Sequence, residues 1–79
     1  MVDITNWDEI VKKEARGKND YDLGEVYAVQ PEIVVTKKGV VDKDKFYLPK
    51  ILVERFDGNK VSFSITKEDA QNYRTKTSL

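Results

Sequence analysis

Cysteine and histidine are both absent from this sequence. The first absence excludes disulfides, thiolate nucleophiles and zinc sites of the cysteine type. The second removes the side chain most used for proton transfer near neutral pH and the commonest transition-metal ligand. An excess of one charge is also lacking, since 14 Lys plus Arg balance 14 Asp plus Glu. Nucleic-acid binders usually carry a basic surplus, because phosphate contacts dominate their affinity. No apolar run approaches the roughly 18 residues of a membrane span. The first residues show no basic stretch leading into an apolar one, as a secretory signal would. The expectation is a cytoplasmic protein without membrane insertion.

What the chain has instead is charge of both signs. Charged residues make up 35% of it, against about 25% in ordinary globular chains. Lysine outnumbers arginine 11 to 3. Seventy-nine residues make one domain, small enough to bury only about 60% of its unfolded surface. Domains of this size often gain stability from self-association, so a homodimer is one expectation.

Ile4, Trp7, Ile10 and Val11 recur at helical spacing, with Thr5 and Asp8 placed as a capping pair. Gly17-Lys18-Asn19-Asp20 reads as a turn. Asp22 to Val29 is rich in β-formers, and Pro31 precedes a second strand from Glu32 to Lys37. Lys45 to Pro49 forms a third. Ile51 to Phe56 and Lys60 to Ile65 flank Asp57-Gly58-Asn59 as a hairpin. A two-residue turn at Gly58-Asn59 opposes Phe56 to Val61, Leu52 to Ile65 and Glu54 to Phe63. A three-residue loop opposes Val53 to Phe63 and Ile51 to Ile65 instead. The first register is preferred, because glycine at the first central position suits a type II′ turn. Thr66 caps a short helix ending near Tyr73, and residues 74–79 carry no pattern and read as a flexible tail. The expected fold is mainly β: a barrel of five to six short antiparallel strands, with a short helix near each end, over residues 1–73. Its interior would be filled by side chains, not by a ligand.

Ile10-Val-Lys-Lys-Glu-Ala-Arg-Gly17 followed by Asp22-Leu-Gly-Glu-Val26 resembles the opening of a PRC-barrel domain. Pro31-Glu-Ile-Val-Val35, Phe46-Tyr-Leu-Pro49, Phe56-Asp-Gly-Asn-Lys-Val61 and Thr66-Lys-Glu-Asp69 continue the resemblance in order, over residues 5 to 70. The family often has a glycine where Lys12 stands and a larger aliphatic residue where Ala15 stands. Its members occur in ribosome maturation proteins, in the photosynthetic reaction-centre H subunit, in archaeal cell-division proteins and as small stand-alone prokaryotic proteins. The resemblance implies a barrel that docks onto a protein partner and is not an enzyme, with a cell-division or stress-related setting by family likeness only.

Asp42 with Asp44 and Asp20 with Asp22 place acids close together. Neither loop has the ligand spacing or central glycine of a calcium loop, so both read as solvated turns. Ser62 and Ser64 have no base to activate them. No catalytic, metal or cofactor site is expected. Gly24, alone inside a strand, reads as a bulge or a close backbone approach, not a phosphate loop. Two constellations remain. Phe46 and Leu48 point one way and Tyr47 the other, so Tyr27, Val34 and Tyr47 are candidate protein-contact residues on a solvent face. Lys37, Lys38, Lys43 and Lys45 gather on one connection. They read either as lysines guarding a strand edge, or as a patch for an RNA- or ribosome-associated factor.

Overall fold

The computed structural model describes residues 6–39 and 44–76. A 3₁₀ turn at Trp7–Ile10 leads into β1 (Glu14–Arg16), a second 3₁₀ turn at Lys18–Asp20, β2 (Asp22–Val29), β3 (Ile33–Lys38) and β4 (Asp44–Pro49). A 3₁₀ turn at Lys50–Leu52 precedes β5 (Val53–Phe56) and β6 (Lys60–Phe63). Helix α1 (Lys67–Ala70), a 3₁₀ turn at Gln71–Tyr73 and β7 (Arg74–Lys76) follow. The strands form one mixed sheet in the order β5-β6-β1-β2-β3-β4-β7.

The mainly β class holds, and four details of the expectation change. The seven-stranded sheet is open, since no ladder among the described residues joins β5 to β7. It is not purely antiparallel, because β1 runs parallel to β6, with Ala15 beside Val61. Near the N-terminus there is a single 3₁₀ turn, capped by Asn6, whose side chain accepts from the Asp8 amide. Near the C-terminus, Thr66 caps α1 by accepting from the Asp69 amide, as expected. Arg74–Lys76, read as a tail, pairs with β4 as an outer strand. An ion pair of 3.1 Å between Arg74 and Asp44 and a hydrogen bond from Arg74 to Gln71 hold its first residue.

One face of the curled sheet is the core. Alternation sends Val34 from β3, Phe46 and Leu48 from β4 and Val61 and Phe63 from β6 into it. Leu23 and Val26 of β2, though three residues apart, both enter because the β1–β2 pairing shifts register at Leu23. Ile10, Ile65 and Ala70 close its ends. Each such side chain contributes about 1.5–3 kcal/mol by leaving water. Gly24 makes this curl sterically allowed. Its φ is +89°, and a Cβ there would lie 2.1 Å from the Lys37 carbonyl oxygen. The close approach read from the lone glycine is therefore present.

The hairpin combines the two registers considered above. Phe56 faces Val61, as a two-residue turn requires, whereas Val53 faces Phe63, as the three-residue loop does. A bulge between Val53 and Arg55 absorbs the difference. In the turn, the Asp57 carboxylate accepts from the amides of Asn59 at 2.8 Å and Lys60 at 2.9 Å. These amide donors hold its pKa below the usual carboxylate value.

Two outcomes follow from these features. Thr36 is fully buried opposite Phe46, and its hydroxyl has no hydrogen-bond partner among the described residues. Thr36→Val removes that desolvated hydroxyl at nearly constant shape and should raise stability by about 1 kcal/mol in urea melts. Asp57 is depressed in the folded state, so its contribution is present above the unfolded pKa of about 3.9 and fades as pH falls through the lower folded value. In Asp57→Asn, which keeps an acceptor oxygen but cannot titrate, the acid limb of a stability-versus-pH curve should lose that component.

Candidate functional site

The outer face of β2–β4 brings together residues that lie far apart in the sequence. The ladder sets Lys37 directly opposite Lys45 and Val35 directly opposite Tyr47. In β2 the register shifts between Val26 and Ala28, and Tyr27 sits at that irregularity. Tyr27 is 52% exposed. The Lys37 ammonium lies 4.8 Å from its ring centroid and the Lys45 ammonium 4.9 Å. Each such contact contributes about 0.5–1 kcal/mol at an exposed site. Val35, in the middle of this outer face, is nonetheless buried, and Ile33, Tyr47 and Pro49 around it are half-buried. The result is an apolar floor bordered by an exposed tyrosine and two lysines.

A cleft of about 300 Å³ opens beside Tyr27, lined by Lys12, Glu25, Val26, Tyr27 and Lys37. Lys12 reaches it through an unusual backbone conformation. Its φ is +73°, its amide donates to the Val26 carbonyl at 2.7 Å, and Val26 donates in turn to Lys13 at 2.9 Å. Lys12 and Lys13 thus oppose a single residue, as in a bulge whose first position normally takes glycine. The strained backbone brings a second lysine to the cleft beside Lys37, with Glu25 as the acid between them in the lining.

The proposed residues separate on this geometry. Tyr27 is exposed and Tyr47 half-buried on the outer face. Val34 is not on that face. It is fully buried against Leu48 and Val29 on the core side, because strand parity gives the outward position to Val35. Of the four patch lysines, Lys37 and Lys45 meet at Tyr27, and Lys38 parts from them, its ammonium 4.9 Å from the Tyr21 ring. Lys43 lies outside the described residues. Lys12 was missed as a site residue. Its only sequence signal was a lysine where the family resemblance often has glycine.

Among the described residues no three acids group as a metal site. Asp22 caps the Gly24 amide at 2.8 Å, and Asp44 pairs with Arg74. Among the described residues no helix is long and apolar enough to cross a membrane. No known family model matches the chain, and no curated protein matches it.

The Lys12 bulge generates its own test. A non-glycine residue in this conformation costs about 1 kcal/mol or more. Lys12→Gly should therefore raise the urea midpoint while removing a charge from the cleft.

Proposed function

We infer that this chain is a non-enzymatic interaction module that docks an acidic segment of a protein partner on the outer face of β2–β4. The observation that carries the reading is Tyr27 held between the Lys37 and Lys45 ammoniums, at the border of an apolar floor. An aromatic anchor beside a desolvated patch is the usual composition of a contact surface. The lysines select negative partners and speed encounter. The surface is ready to bind without rearrangement, since cation–π contacts already limit the freedom of both lysines and the tyrosine.

The same reading includes the PRC-type resemblance. It is supported by the order of the motifs, by the close backbone approach at Gly24 and by the positive φ at Lys12, where that family often has glycine. The family likeness adds the expectation of a prokaryotic, cytoplasmic docking role, with archaeal cell division or stress response as its setting.

A second reading, an RNA- or ribosome-associated factor, draws on the same arrangement, because a tyrosine among lysines on a sheet also suits base stacking. The balanced net charge and Glu25 in the cleft weigh against it.

Amide shifts measured by NMR separate the two. A synthetic Asp/Glu-rich peptide carrying one leucine should shift residues 27, 35, 37, 45 and 47, and Lys37→Glu with Lys45→Glu should weaken that binding by about tenfold or more. Tighter binding of oligouridylate, falling steeply between low and moderate salt, would move the function to nucleic acid. Silence of this face toward both probes would remove it as the functional surface.

A further inference from the structure

We propose that the free edge of β5 is a self-recognition site, at which a second copy of this chain adds its own β5 antiparallel across a two-fold axis between Glu54 and Arg55. β5 ends the strand order, paired to β6 on one side and to no strand among the described residues on the other. Its four residues, Val53-Glu54-Arg55-Phe56, are in turn buried, exposed, exposed and half-buried. Reversed, the same series maps apolar onto apolar and acid onto base. The bulge between Val53 and Arg55 turns Val53 and Phe56 to the core side and leaves Glu54 and Arg55 both exposed. A two-fold antiparallel pairing can therefore set Glu54 of each copy opposite Arg55 of the other, and Val53 opposite Phe56. Opposite charges facing each other across a ladder are favourable, and like charges are not. Slipping the register by one residue opposes Glu54 to Glu54 or Arg55 to Arg55, and also turns the apolar residues toward the wrong face.

Shape continues the match beyond the strand. Just before β5, Ile51 is 88% exposed, the most exposed large apolar side chain described. It stands at an open groove of about 680 Å³ that runs along Lys50 to Arg55 and is walled by Ser64. Just after β5 lies a hollow bordered by Glu9, Lys13, Phe56 and Gly58, where a Cβ on Gly58 would meet no atom within 4 Å. Antiparallel pairing brings Ile51 of each copy toward the Phe56–Gly58 end of the other. Short length, a bulge and charged residues ordinarily protect a sheet edge from pairing. Here those devices disfavour other strands and leave one register, that of an identical copy. A contact of this size makes a reversible, concentration-dependent dimer, not an obligate one.

Sedimentation velocity of the full chain over a concentration series tests the proposal, with circular dichroism reporting the fold of each variant. The wild-type mass should rise toward twice the monomer. Arg55→Glu should lower the association constant about tenfold or more, and so should Ile51→Lys. The swapped pair Glu54→Arg with Arg55→Glu should restore association that Arg55→Glu alone removes. Tyr27→Asp, on the other face, should leave it unchanged. A constant monomer mass overturns the proposal. So does association that survives both single variants, or a folded swapped variant that fails to recover it.

Discussion

The contact between Gly24 and the backbone of Lys37 is the constraint on which the rest of this sheet depends. β2 pairs with β1 on one side and β3 on the other, so it joins the two halves of the strand order. A side chain at position 24 would occupy the Lys37 carbonyl, and β3 could not lie as close to β2 as it does. With glycine there, the sheet curls enough for β1 to meet β6 in parallel and for both halves to share one core. Gly17 serves the same end at the next corner, where Lys18 donates to the Ile65 carbonyl and a Cβ on Gly17 would stand 2.7 Å from that oxygen. Two close backbone approaches thus do for this small domain what a larger core does elsewhere.

A single sheet with one core leaves its other face and its edges to other uses. The outer face is not uniformly polar. Val35 is buried there by its neighbours, and Tyr27 covers one border while engaging two lysines. The edge at β5 has a different chemistry, an acid and a base side by side with an exposed isoleucine ahead of them. On the readings proposed above, the first surface would select by the sign of charge and an aromatic anchor, the second by symmetry. They lie at separate places in the strand order, so one can be occupied without the other.

One strained backbone position and one unsatisfied hydroxyl lie in this region. Lys12 takes a conformation ordinarily left to glycine, and it borders the cleft. The buried hydroxyl of Thr36 lies one residue before Lys37, on the opposite face of β3. Sites held against local preference are where proteins often depart from the most stable choice. Replacing either residue trades that local cost against what its side chain does on the surface or in the core.

Strands β2 to β6, the turn glycines and the helix cap at Thr66 were legible in the sequence, because each is a local property of period, φ preference or capping chemistry. β2 spans the residues its composition indicated, and Phe46 and Leu48 point inward while Tyr47 does not. The errors arose where neighbours in space decide. Ile33-Val34-Val35 is apolar on both faces, so alternation could not say whether Val34 or Val35 looks outward; pairing with Leu48 decided it. Neither hairpin register alone could predict a bulge that uses both, and no pattern in residues 74–76 announced a strand that exists only because β4 offers an edge. By itself the sequence determined a small, mainly β chain without histidine or cysteine chemistry. Only the tertiary structure decided that the sheet stays open among the described residues, that Lys37 and Lys45 meet at Tyr27 beside the cleft Lys12 lines, and that β5 has one edge no described strand covers, since each depends on which strands become neighbours.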